Sequence, residues 1–576
     1  QGTLSYQNTL PKQPIPSLED TMSRYLERSL PYLSPDEKVQ TKQSVISFLH
    51  GDGPMLHEKL LEYNETKENY IEEFYQELYS NADYSSHSLN PNFVLFKQPG
   101  DDSAASTSTR LVKSILAHFV ACKEGTFPAT VNKGKAIDMR QQPWIHASAR
   151  IPQKGKPDQL VCHIDQPEQH MVVAIKGHFY KIPLFQQVGE EYFMIEPSAL
   201  EQELNNIVVD ADSRPVGLSV GSLTCGVRGP WEDARERLIA AGNAQTLAEI
   251  DEALLVLCID DEGCNNLSGS GMELNVMYGV DESSCANRWM DKWNVIVTRD
   301  GQAGMNWEHS LLDGHTMMEF FAPIGASEDN FGTCLSKCKP LEVSSKKQQP
   351  LEWLNVDNQT IEAIEETTKA SYAKSQSVGA ETLEFQEYGG KFVKGSKCSP
   401  DGFAQAAMFI AFYELTQQLP VPYESVLAKA YKHGRVTVAR NMNQSIADLL
   451  VSFNTLPLSE QEDCFRGLVA NIGQICREAA SANEMDRPIL AYRSLANMIN
   501  NQATSQDEKV IIPFLEDKSW NKLNALDLCT SHCGKPPIRF FGYEPASANG
   551  YSIGYYVDND RMQFSINHFD KKAASD

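Results

Sequence analysis

Residues 293–321 read WNVIVTRDGQAGMNWEHSLLDGHTMMEFF, and this stretch carries the decisive pattern of the chain. Trp293–Thr298 is a β-type run, Asp300-Gly301 is a hairpin-turn dipeptide, and Ala303–Glu308 reads as the returning strand. Period-two alternation places Met305, Trp307 and His309 on one face and Asn306 and Glu308 on the other. Ser310-Leu311-Leu312-Asp313 then has the Ser-x-x-acid pattern of a helix start. His309 is therefore expected where a strand meets a helix N-terminus, with an apolar face beside it. Partial burial and the positive helix end both disfavour imidazolium, which leaves a neutral ring able to accept a proton. A general base needs that state. The same pattern also fits a satisfied core histidine, with Asp313 as a capping carboxylate.

Upstream, short β-type runs dominate from about His170 to Val297, at Met171–Ile175, Leu254–Ile259 and Val295–Thr298. The first 80 or so residues read as helical, entered through Pro11–Pro16. Helical apolar spacing covers Glu19–Leu30 and Glu37–Leu49, with a helix start at Ser34-Pro35-Asp36-Glu37. Gly100–Ser108 and Gln141–Gln159 are polar loop candidates, and Ser344–Pro350 has the composition of a linker. Downstream, helices are expected over Asn358–Ala373 and Pro400–Gln418, and strands near Ile538–Phe541 and Met562–Ile566. Interleaved helices and strands give an α/β class, and 576 residues imply two domains of about 200–300 each.

A formal charge of −25 repels phosphate backbones, which excludes nucleic acid and anionic membranes as main partners. The longest apolar stretch, Gly402–Leu415, falls short of the roughly 18–20 residues of a membrane span. No charged-then-apolar leader opens the chain, and thirteen scattered cysteines suit reduced thiols, so a cytoplasmic location is expected. A start at Gln1 suits a domain of a longer protein. The pairs Cys334/Cys338 and Cys529/Cys533 lack zinc-ligand spacing, and no metal is expected. Gly217-Leu218-Ser219-Val220-Gly221 matches the Gly-x-Ser-x-Gly nucleophile elbow, but its flanks Asp210–Pro215 and Gly226–Pro230 supply neither the strand nor the helix it needs. Val216–Thr224 reads instead as a strand with glycines.

Around His309, the segments Asn287-Arg288-Trp289-Met290-Asp291-Lys292 and Trp307-Glu308-His309 resemble the carnitine/choline acyltransferase family. Ordered matches recur along the chain. They include Leu10-Pro11, Pro14–Leu18, Tyr32–Glu37, Gly177–Lys181, Pro215–Thr224, Arg228 with Trp231–Arg235, Ser399–Phe403 and Tyr423–Ser425. The resemblance implies two similar mixed-sheet α/β domains with an active-site tunnel at their interface, entered by a thioester from one side and an alcohol from the other. One domain would comprise residues 82–355, and the other residues 1–81 with 356–576.

By the same resemblance His309 is the catalytic base, and Asp313 takes the place of a carboxylate that is usually Glu. The family's Ser-Thr-Ser triplet stands here as Cys529-Thr530-Ser531, with Ser531 retained to stabilise the oxyanion and Cys529 a weaker donor. Lys391, Lys394, Ser399 and Asp401 correspond to the thioester-carrier site, with Lys391 displaced by one residue. Tyr423 and Arg487 match residues that hold the carboxylate of carnitine, but Val436 and Val438 replace two threonines. Asn81–Ser86 replaces a tryptophan-rich segment, and Arg539 falls at an acyl-tunnel position. These departures point to an oxygenated acyl chain and an acceptor other than carnitine. They resemble the release domains that end some fungal highly reducing polyketide synthases, passing an acyl chain from a carrier-protein pantetheine to a polyol. The alternatives are a free-standing carnitine acyltransferase using acyl-CoA, and a non-catalytic carrier-binding relic. No permanently bound cofactor is expected; CoA or phosphopantetheine would serve as thioester carrier, with an acyl carrier protein as a candidate partner.

Overall fold

The computed structural model describes residues 2–80, 90–132, 134–326, 335–342 and 349–569. Asn81–Ser86, Cys334 and most of the Ser344–Pro350 linker lie outside the described residues. Two mixed sheets organise the chain. The nine-stranded sheet runs, edge to edge, Lys339–Pro340, Glu191–Met194, His178–Val188, Glu168–Ile175, Val256–Asp260, Asn294–Thr298, Ala303–Asn306, Asn92–Leu95 and Ile538–Gly542. The six-stranded sheet runs Val378–Phe385, Met562–Phe569, Tyr551–Val557, Leu528–His532, Pro422–Val426 and Thr437–Ala439. Helices cover both, giving an α/β architecture. Strand Val256–Asp260 pairs in parallel with its neighbours on both sides and is buried throughout, which is why its sequence is apolar without alternation.

The last strand of the nine-stranded sheet comes from far along the chain. Ile538–Gly542 pairs antiparallel with Asn92–Leu95, so the C-terminal half completes the sheet built by the first half. The N-terminal helices Leu18–Ser29, Pro35–His50, Gly53–Glu65 and Ile71–Ser80 pack against Asp486–Asn500 and Lys518–Leu523 in a shared apolar core. Inside it Arg28 and Glu484 form a buried ion pair at 2.8 Å. Ser34 opens its helix through a capping box with Glu37, as its sequence pattern suggests.

Several local expectations are corrected. Within Gly100–Ser108, a helix begins at Ala104, capped by Ser103 and Ser106 in a capping box built from two serines rather than Ser and Glu. Gln141–Gln159 contains the short helix Gln141–Trp144 and the strand Ser148–Ile151, which pairs with Gln159–Cys162. Val216–Thr224 is no strand: Val220–Cys225 forms a 3-10 helix, and Gly217 packs so closely on Gly177 and His178 that a Cβ would clash. Ser219 thus lacks the strand–turn–helix geometry of a nucleophile elbow.

Candidate active site

Strand Asn294–Thr298 and its partner Ala303–Asn306 form the expected hairpin around Gly301, whose φ of +85° requires glycine. Trp307 continues the second strand into the core, stacked on Phe541 and tilted against Phe93, and leads into the loop bearing His309. Glu308 turns the other way, accepts the backbone N–H of Ser310 at 3.1 Å and lies 3.6 Å from Arg150. The helix after the loop begins at Gly314, not at Ser310. The Ser310 hydroxyl donates to Glu308, and the residue that precedes the helix is Asp313.

His309 Nδ1 lies 2.8 Å from the carbonyl oxygen of Leu312. A carbonyl only accepts, so Nδ1 carries the proton and Nε2 keeps a free lone pair. Burial lowers the pKa of the ring below its ordinary value, against the opposing charge of Asp313. The edge of Tyr79 packs against it, with ring centroids 5.3 Å apart.

Asp313 orients the ring indirectly. Its fully buried carboxylate accepts Arg435 Nε at 3.1 Å and Gln141 Nε2 at 2.9 Å. Burial alone would raise its pKa, but Arg435 and Lys429 overcome that and hold it at about 2. Arg435 also donates to the carbonyls of Ser310 (3.0 Å) and His309 (3.4 Å), and its guanidinium lies 4.5 Å from the ring centre of Tyr75. The hydrogen bond that fixes the tautomer therefore comes from a backbone carbonyl, while the ion pair fixes the loop that presents it. Arg435 stands beside Val436 and Gln141 opens a polar segment, and neither carries a local sequence signal for this role. Their roles arise from contacts 122 and 172 residues distant, which no local pattern encodes.

The opposite wall comes from the six-stranded sheet. Parallel pairing sets Tyr423 beside Cys529 and Ser425 beside Ser531, and the pleat turns all four toward His309. Together they line a cavity of about 250 Å³ that also takes in Tyr75, Tyr79, Val436, Phe541, Tyr543 and His315.

Other expected site residues lie elsewhere. Thr530 faces away and accepts Gln405 Nε2 at 2.9 Å; the same nitrogen donates to the Tyr555 hydroxyl, which donates to Asp401. Val438 is buried off the cavity wall. Arg487 stands behind the wall, 4.7 Å from the centre of Tyr75, with Nε and Nη2 on the carbonyl of Val436. Lys391 and Lys394 are exposed on the helix Gly390–Gly395, and Ser399 caps the helix Pro400–Thr416.

Arg539 does not line the cavity. The pairing of Val94 with Phe540 and of Leu95 with Ile538 makes Arg539 a bulge residue, which shifts the alternation of its strand. Its guanidinium reaches Glu384 at 2.7 Å and rests against Phe96 and Phe540, while Phe541 takes the cavity face.

A base with a free lone pair and a serine hydroxyl share a cavity walled by two sheets, an arrangement suited to acyl transfer. The family described as Choline/Carnitine o-acyltransferase matches residues 13–576. A putative mitochondrial carnitine O-acetyltransferase of Saccharomyces cerevisiae is 28% identical over 98% of this chain and 91% of its own length. The mitochondrial carnitine O-palmitoyltransferase 2 of Homo sapiens is 26% identical over 98% and 89%, and the choline O-acetyltransferase of Homo sapiens 26% identical over 98% and 76%. The chain belongs to the choline/carnitine O-acyltransferase family.

Proposed function

We propose that the protein moves an acyl group reversibly between a thioester and a small alcohol, with His309 as general base and Ser531 as the oxyanion donor. Nε2 takes the proton from the attacking hydroxyl as its oxygen bonds to the thioester carbonyl carbon. The Ser531 hydroxyl donates to the developing oxyanion. When the tetrahedral intermediate collapses, the C–S bond breaks and the imidazolium returns the proton to sulfur. No covalent enzyme intermediate is needed, because one cavity holds both ligands. The free lone pair on Nε2, in a cavity shared with Ser531, carries this reading.

For the acceptor we favour a polyol, and for the donor a carrier-protein pantetheine, as in polyketide release. Val436 gives the acceptor wall no hydroxyl, and two N–H groups of Arg487 are taken by a backbone carbonyl. Tyr75, Tyr79 and Tyr423 supply neutral hydroxyls there, which suit a neutral polyol better than a carboxylate. Arg539 gives no support to an oxygenated acyl chain, since it pairs with Glu384. Carnitine with acyl-CoA is the second reading; it draws on the named relatives and on Arg487 standing beside Tyr423.

The test supplies one acyl group as its CoA, pantetheine and carrier-protein thioesters, each with carnitine or a polyol panel, and identifies esters by mass spectrometry. Polyol esters formed from the carrier-bound acyl group are expected. Ester with carnitine alone overturns the polyol assignment, and faster transfer from CoA than from the carrier overturns the donor assignment.

A further inference from the structure

The cavity around His309 and Ser531 has two unlike arms. One is walled by Tyr75, which is buried under Arg435 and Arg487, and by the half-buried Tyr79 and Tyr423. The other runs between the first turns of helix Gly314–Gly325 and the end of strand Leu528–His532. A Cβ at Gly314 would stand 3.4 Å from Cys533 Sγ, so these walls are in near contact. Further out, Glu319 and Lys535 bridge the walls at 3.0 Å, with Lys535 40% exposed and His532 exposed beside it. This second arm therefore leads to solvent.

His315 lies on this open arm, six residues beyond His309. Its ring lines the cavity, yet among the described residues neither ring nitrogen makes a hydrogen bond with the protein. Burial, reinforced by the charge of Lys429, lowers its pKa to about 4, although Glu319 and Asp313 pull the other way and Lys535 adds to the lowering. At neutral pH the ring is uncharged and presents one N–H donor and one lone-pair acceptor. An unpaired donor and acceptor half-buried in a narrow passage suit a ligand that carries both kinds of group, as an amide does.

A small alcohol fits the closed arm. A carrier thioester is long and must thread from solvent to Ser531, and the exposed His532 beside that serine opens the arm that holds His315 to solvent. We propose that His315 is a specificity-determining residue for the thioester, hydrogen-bonding an amide of the pantetheine chain that delivers the acyl group. The assignment rests on the acyltransfer reading of the cavity, and it extends that reading by naming the residue that distinguishes an amide-bearing carrier from a plain thiol.

The experiment compares two donors with the same acyl group, a pantetheine thioester with two amides and an ethanethiol thioester with none. The wild-type chain is expected to prefer the pantetheine donor in kcat/KM. His315→Phe is expected to lower kcat/KM about tenfold for pantetheine, mainly through KM, and to lower it clearly less for the ethanethiol donor. His315→Gln, which restores a donor and an acceptor, is expected to recover most of the loss. His315→Leu carries the same comparison if the phenylalanine variant does not fold. Equal losses on both donors, or none on either, overturn this assignment alone. Absence of transfer by the wild type from both donors overturns the acyltransfer reading, and this one with it.

Discussion

The two walls of the cavity hold their key residues by different means. Ser531 sits within a strand paired in parallel on both sides, so backbone hydrogen bonds set its position. His309 sits in a loop held by charge, through the Arg435–Asp313 pair and the Glu308–Arg150 contact. A sheet ladder distributes its restraint over many bonds, whereas a loop fixed by two buried ion pairs depends on single side chains. The base should therefore be the more fragile half of the site.

The largest effect is expected at the base itself. His309→Ala is expected to lower kcat about a thousandfold with thioester binding retained, and Ser531→Ala about a hundredfold. Rapid-quench assays with equilibrium binding separate the two, and equal losses would erase the distinction between proton acceptor and oxyanion donor. The contrast between walls is sharpened by a second pair of variants. Arg435→Met strands the carboxylate of Asp313 and is expected to cost about 3–5 kcal/mol of stability as well as kcat. Thr530→Val removes one neutral hydrogen bond beneath the serine strand and is expected to cost about 1 kcal/mol with kcat nearly unchanged. Urea unfolding and steady-state rates measure both.

Smaller and more distributed is the effect of pH. Burial lowers the pKa of His118 to about 3 and of His170 to about 4, and it lowers that of His309 below the ordinary 6.5. Between about 6.5 and 4 these histidines bind protons in the unfolded chain that the folded chain refuses, so their contribution to stability falls as pH drops through that window, while the buried Glu273 carboxyl, raised to about 7, acts the other way. Asp313 acts lower: with its pKa at about 2, its contribution is present above the ordinary 3.8 and lost as pH falls toward 2. Urea midpoints from pH 8 to 4 should decline below about 6.5, and kcat/KM should fall on the acid side of the His309 pKa. A flat stability profile would show that the buried imidazoles titrate normally.

Local signals in the sequence reach the hairpin of residues 294–306 because Asp300-Gly301 and the alternation around it are self-sufficient. They fail where a distant group intervenes. Ser310 has the right spacing for a cap, but its hydroxyl points to Glu308, and the loop is held by Arg435 and Gln141 from far along the chain until the helix starts at Gly314. Arg539 occupies a tunnel position by alignment, and a one-residue bulge against Leu95 sends it to Glu384 instead. Tyr75 and Tyr79 reach the cavity from an N-terminal helix more than 200 residues before His309, so only the tertiary fold makes them neighbours.

The crossing strand Ile538–Gly542 has a mechanical consequence. It leaves the serine-bearing half of the chain, joins the edge of the sheet that carries His309, and sets Phe541 into the cavity wall between them. Prising the halves apart would tear a β-ladder, so the enzyme cannot work as a clamshell that opens, fills and shuts. Reactants are therefore expected to reach His309 and Ser531 without that ladder parting.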